Sequence, residues 1–191
     1  MLVSHKYKFI CLNPPKTGTG FRENLFLRLN KHLECTLGKN KYSQRHISLT
    51  KRPWAKFTHD FNPSDYYIFT FVRNPWERAA SWFNMLQGVS SSTFISNAIL
   101  NKIRISPQID FCQNSNMKVD FVGDSACQNS ELSNIFNKLD LKINGLPSRN
   151  NKRLPKEKKK LYKSYFNKDL IKYISEVEQG IINLKNYTYD L

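Results

Sequence analysis

A chain of 191 residues, 40% hydrophobic and 13% aromatic, carries enough apolar surface for one packed domain and is not a disordered basic tail. Lys and Arg number 30 against 15 Asp and Glu, a formal charge of +15, which points to an anionic partner such as nucleic acid, a membrane surface, a polyanionic sugar or a phosphorylated cofactor. No apolar run approaches the ~18–20 residues of a membrane span, and Met1 to Lys8 hold no apolar signal region, so a cytoplasmic chain with no membrane span is expected.

Residues 7–13, Tyr-Lys-Phe-Ile-Cys-Leu-Asn, read as a short buried strand. Pro14 to Gly20 then form a loop that holds two of the chain's 7 glycines. Phe21, Leu25, Leu29 and Leu33 recur at helical spacing behind it. Residues 34–63 are polar and irregular. The nearly continuous apolar run Tyr66 to Val72 has the character of a central parallel strand. Arg73 follows, and Asn74, Pro75 and Glu77 supply an N-cap, a first-turn proline and an acid three past the cap, which predicts a helix over 75–87.

Val119 to Val122 predicts a third strand. Ser130 is placed to cap a helix with Leu132, Ile135, Phe136 and Leu139 on one face. A loop from Asn144 to Pro155 leads into the basic run Lys156 to Lys163. The last helix, about 168–184, carries Leu170, Ile174, Val177 and Ile181 on one stripe. Strands alternating with helices predict a single α/β domain over residues 1–191, its central sheet mostly parallel and flanked by helices. Cys11, Cys35, Cys112 and Cys127 form no C-x-x-C pair and no zinc-ligand pattern, so free thiols and no metal are expected.

Two segments carry chemistry. Pro15-Lys16-Thr17-Gly18-Thr19-Gly20 joins a strand to a helix N-terminus, where unpaired N–H groups and partial positive charge attract an anion. Its glycines let the backbone turn tightly, while Lys16, Thr17 and Thr19 add a cation and two hydroxyls. The order is not Walker A, because the lysine precedes the glycine. The other segment is Phe71-Val72-Arg73-Asn74-Pro75, with Ser81 in the following helix. Arg73 stands at the carboxyl end of a strand, where open α/β sheets bind ligands, and its guanidinium with the Ser81 hydroxyl can hold a second anion.

Together these segments resemble the sulfotransferases that use 3′-phosphoadenosine 5′-phosphosulfate (PAPS), in particular the carbohydrate type that includes heparan and uronyl sulfotransferases. Pro15 to Thr19 is similar to that family's 5′-phosphosulfate loop. Val72-Arg73-Asn74-Pro75 with Ser81 is similar to its 3′-phosphate motif. Val119-Asp120-Phe121-Val122-Gly123 resembles its third strand, and Pro107-Gln108 is similarly placed upstream. After Gly123 the family usually shows a basic residue and then a Glu, whereas Asp124-Ser125-Ala126-Cys127 stands here; Gly20 takes the place of a small polar residue.

The resemblance implies a P-loop-NTPase-like sulfotransferase fold and sulfuryl transfer from PAPS to an acceptor hydroxyl or amine, leaving 3′,5′-bisphosphoadenosine (PAP), without metal or nucleic acid. Lys16, Thr17, Gly18, Thr19, Gly20 and Phe21 are then the expected ligands at the 5′ end, with Arg73 and Ser81 at the 3′-phosphate. Lys16 faces the leaving-group charge. His46, in Arg45-His46-Ile47-Ser48, resembles the family's His-x-Ser base segment, with His59 and Glu23 as further candidates. The partner is a small-molecule or carbohydrate acceptor. The basic stretch Arg149 to Lys163 is either a loop over the nucleotide, a patch for an acidic acceptor, or a solvated face. Rival readings are a P-loop-like nucleotide or small-molecule kinase and a basic nucleic-acid-binding protein. A kinase calls for a Walker lysine and a magnesium-binding Asp pattern, and a nucleic-acid binder for a recognisable aromatic stacking motif; the sequence has none of these.

Overall fold

A computed structural model describes residues 1–29, 35–37, 48–50, 60–86, 90–99, 106–141, 143 and 166–189. The chain divides into two compact units, Met1–Val72 with Asp110–Arg149, and Arg73–Ile109 with Asn150–Leu191.

Among the described residues, the first unit is built on a five-stranded sheet. Its strands are β1 (Leu2–Ser4), β2 (Phe9–Leu12), β3 (Cys35–Leu37), β4 (Tyr67–Val72) and β5 (Phe121–Asp124), in the order β3-β1-β2-β4-β5. β2, β4 and β5 run parallel, as the sequence predicts, and β1 adds an antiparallel edge with β2 and β3. The edge was not legible. Leu2–Ser4 is too short to show a period, and Tyr7 and Lys8, read as strand, instead belong to the turn that closes the β1–β2 hairpin, with Lys8 at φ 50°. A parallel pair needs a crossover element, and α1 (Thr19–Arg28) supplies it between β2 and β4.

Alternation along the strands feeds two cores. Leu2, Phe9, Cys11, Phe69 and Phe71 pack against Leu25 and Phe26 of α1 and Leu132, Ile135 and Phe136 of α2 (Gln128–Lys138). Val3, Ile10, Leu12 and Ile68 face the other way, onto Leu49, Phe111 and Val119. Burial on both faces explains why the strands read as unbroken apolar runs. Two boundaries differ from expectation. β5 starts at Phe121, not Val119, although the Asp120 N–H still donates to the Ile68 carbonyl at 2.7 Å. α2 starts two residues before Ser130, whose hydroxyl donates to the Cys127 carbonyl at 2.9 Å.

The second unit is helical: α3 (Pro75–Leu86), α4 (Ser91–Ile99), α5 (Lys168–Val177) and α6 (Gln179–Lys185). Trp76, Ala80, Phe83, Phe94, Leu170 and Ile174 form its core. Asn74 caps α3 as predicted, its Oδ1 accepting from the Trp76 N–H at 3.1 Å, and Asn167 caps α5. The last predicted helix is two helices. The apolar stripe steps from Leu170 and Ile174 to Glu178, which is buried where Val177 was expected, and the chain breaks there. α4 carried no apolar period; the Ser90 hydroxyl accepts from the Thr93 N–H at 3.2 Å at its start. No helix among the described residues is long and apolar enough to cross a membrane.

Candidate functional site

In the first unit, β2 delivers the chain into the loop Asn13–Gly18, and α1 takes it away. The turn uses two left-handed residues, Lys16 at φ 66° and Gly18 at φ 84°. Glycine accepts that conformation without strain; lysine does not. The Thr17 and Thr19 hydroxyls both donate to the Pro14 carbonyl, at 2.8 and 3.1 Å, which folds the loop over its own start.

Beneath the loop lies Arg22, fully buried. Its Nε donates to Asn13 Oδ1 at 2.9 Å, and its two terminal nitrogens donate to the Thr17 carbonyl at 2.8 Å and the Thr17 hydroxyl at 3.0 Å. The guanidinium lies 5.1 Å from the centre of the Phe71 ring. Thr17 is therefore committed on both sides of its hydroxyl, and its remaining donor is the backbone N–H.

No described residue accepts from the N–H groups of Thr17, Gly18, Thr19 or Gly20, whereas the Phe21 and Arg22 N–H groups close on the Gly18 carbonyl at 3.1 and 3.3 Å. Four such donors at the start of a helix are of the kind that can receive an anion. Gly20 has nothing within 4 Å of the position a Cβ would take, so its side-chain-free state is not a steric need. Glu23 is nearly buried on α1. Cys11, under the same loop, is a thiol pushed upward by burial and drawn partly back by Arg22.

In the second unit, Arg73 precedes the cap of α3. Its Nε donates to Glu77 at 3.1 Å, and no described residue bonds its terminal nitrogens. Glu77 was expected to support the cap; its side chain orients Arg73 instead. Ser81 lies one turn past Glu77 on the same face, half-buried, its hydroxyl bonded to no described residue.

The Arg73 backbone is held by Gln108. Gln108 Oε1 accepts from the Arg73 N–H at 2.8 Å, and Nε2 donates to the Arg73 carbonyl at 2.9 Å. The Gln108 N–H in turn donates to Glu178 at 2.9 Å, and Glu178 is ion-paired with the buried Arg78. Arg78 also donates to the Ser106 carbonyl at 3.0 Å and stacks 4.4 Å from the Trp82 ring centre. Burial pushes the Glu178 carboxyl up and the Arg78 guanidinium down, and their mutual attraction opposes both shifts.

The model of one protein family, described as the Sulfotransferase family, matches residues 1–191. The chain belongs to the sulfotransferase family. It is therefore a transferase of sulfuryl groups. No curated protein and no solved structure matches it.

The described part of this sulfotransferase contains Lys16 to Phe21 and Glu23 in one unit and Arg73 and Ser81 in the other. His46, His59 and the basic stretch Arg149 to Lys163 lie outside the described residues. Sequence reasoning missed Arg22 and Glu178 and gave Gln108 no role. Two of them left a trace: Arg22 is a cation in the opening turns of a helix, where the dipole disfavours it, and Glu178 is an acid on the apolar stripe. The Gln108 bonds join residues 35 apart and leave no local pattern.

Proposed function

We propose that this sulfotransferase takes its sulfuryl group from PAPS and passes it by in-line displacement to an acceptor hydroxyl or amine on a carbohydrate, with residues 1–191 acting as one domain. The observation that carries the reading is the row of N–H groups from Thr17 to Gly20 from which no described residue accepts, turned by Gly18 at the start of α1. PAPS, when bound, supplies a sulfuryl group on a phosphate leaving group.

The N–H groups of Thr17 to Gly20 suit the 5′-phosphosulfate, with Phe21 at the end of the loop. Thr17 and Thr19 contribute through their backbone, because their hydroxyls are spent on Pro14. Lys16 meets the charge on the leaving oxygen, as sulfuryl transfer, like phosphoryl transfer, depends on positioning and charge stabilisation. Arg73, with its terminal nitrogens bonded to no described residue, and Ser81 suit the 3′-phosphate. His46 is the proposed base, with His59 and Glu23 behind it.

Calorimetry with PAP and ATP tests the cofactor. PAP, which carries a 3′-phosphate, binds more tightly; equal affinity rejects the assignment. Arg73→Ala costs about 1.5–3 kcal/mol of PAP binding and Ser81→Ala about 1 kcal/mol. Adenosine 5′-phosphosulfate, without the 3′-phosphate, is bound equally well by both variants.

A further inference from the structure

We infer that Gln108 is a positioning residue that fixes the Arg73 backbone for recognition of a ribose 3′-phosphate, and that Glu178 and Arg78 hold Gln108 in place. This deepens the proposed PAPS reading and rests on it.

A guanidinium discriminates between anions only if its direction is set before the anion arrives. Arg73 is a quarter exposed, so packing alone does not set it. It is gripped at two points instead. Glu77 takes its Nε, and this leaves the two terminal nitrogens side by side. Gln108 takes both backbone groups, the N–H at 2.8 Å and the carbonyl at 2.9 Å. A carboxamide is the shortest uncharged group that accepts and donates in one plane, so it closes such a pair without bringing a charge beside the arginine.

Gln108 is itself fully buried, and so are its supports, Arg78 at 0% and Glu178 at 2% exposure. The Glu178 carboxylate divides its oxygens, one to Arg78 and one to the Gln108 N–H. The arrangement spans residues 73, 78, 108 and 178, each on a different segment or turn. The network is buried, and it ends at the backbone of the partly exposed Arg73.

The test compares PAP with adenosine 5′-monophosphate, which lacks the 3′-phosphate, by calorimetry on wild type, Gln108→Leu and Gln108→Glu. Wild type prefers PAP. Gln108→Leu, which removes both bonds, lowers PAP affinity about tenfold and leaves the monophosphate affinity unchanged. Gln108→Glu keeps the acceptor for the Arg73 N–H and loses the donor, so it falls between. If both nucleotides weaken in parallel, or the preference for PAP stays whole, Gln108 is only structural and the inference fails. If wild type shows no preference for PAP, the 3′-phosphate reading fails and the inference with it. A measurement without substitution stands beside these: in unliganded wild type the Arg73 amide is protected from hydrogen exchange, and exchange at the rate of an open loop overturns the inference even where a variant does not fold.

Discussion

Arg22 holds Thr17 by both its carbonyl, at 2.8 Å, and its hydroxyl, at 3.0 Å. The first residue of the Thr17–Gly20 turn is thus fixed from below by a cation with no exposed surface. The same guanidinium takes Asn13, the first residue after β2, so strand end, loop and helix are tied at one point. A fixed charge directly beneath the loop also favours an anion above it, since it is screened little by solvent.

Arg22→Leu removes three buried hydrogen bonds, to Asn13 Oδ1, the Thr17 carbonyl and the Thr17 hydroxyl. The expected loss of stability is about 2–4 kcal/mol, read from urea denaturation. Arg22→Lys keeps the charge and one bond, and loses less. A change below about 0.5 kcal/mol in Arg22→Leu contradicts the role assigned to Arg22.

The two loop glycines respond differently to alanine. Gly18 sits at φ 84°, where a Cβ costs about 1–2 kcal/mol. Gly20 lies inside α1 with open space around it, so Gly20→Ala is neutral or gains up to about 1 kcal/mol from helix propensity. Melting curves of the two variants, with and without PAP, separate them: Gly18→Ala loses both stability and PAP binding, Gly20→Ala neither.

Lys16 and His46 fail in distinct ways on the proposed mechanism. Lys16→Ala weakens PAPS binding and slows transfer together, because lysine meets the phosphosulfate in the ground state as well. His46→Ala leaves PAP affinity intact and lowers turnover by roughly 10²–10⁴-fold, with loss of the acid limb of the rate profile. Normal turnover with the same acid limb in His46→Ala moves the base to His59 or Glu23.

Cys11 gives stability an alkaline dependence. Its folded-state pKa lies above the ordinary thiol value of 9.0, chiefly through burial. Above that value the unfolded chain loses the proton and the folded chain keeps it. The unfolded state is then favoured, and stability falls as pH rises from 9.0 toward the folded value. Cys11→Ala flattens this slope, measured as denaturation midpoints over the alkaline range. An unchanged slope in the variant assigns the dependence to other groups.

Much of the fold was legible wherever the physics is local. β4 is an apolar run long enough to read, Asn74-Pro75 announces α3, and Leu132, Ile135 and Phe136 share one helix face. The loop was legible too, since glycine and threonine between strand and helix leave few conformations. What escaped was held by partners distant in sequence. Arg78 and Glu178 are 100 residues apart, and their pairing leaves no local pattern. β1 was hidden by brevity, and the break at Glu178 by an apolar stripe that carries on at Ile181.

The hairpin that β1 makes with β2 has a consequence for the order of assembly. Val3 pairs with Ile10 across a tight turn, while Phe69 must find Phe121 across a far longer span of chain. Hairpins close in about 1–10 μs, and the entropy of closure rises with span, so the strand that leads into the Asn13–Gly18 loop acquires its first neighbour long before β5 docks. β2 therefore enters the search for β4 already paired along one edge, presenting only the other. In a pulse-labelling exchange experiment, amides of Leu2–Ser4 and Phe9–Leu12 gain protection ahead of those of Phe121–Asp124. The late-forming boundary of the sheet is then the one beside β5, and that boundary is where a ribosome-bound or truncated chain lies open to pairing with another copy.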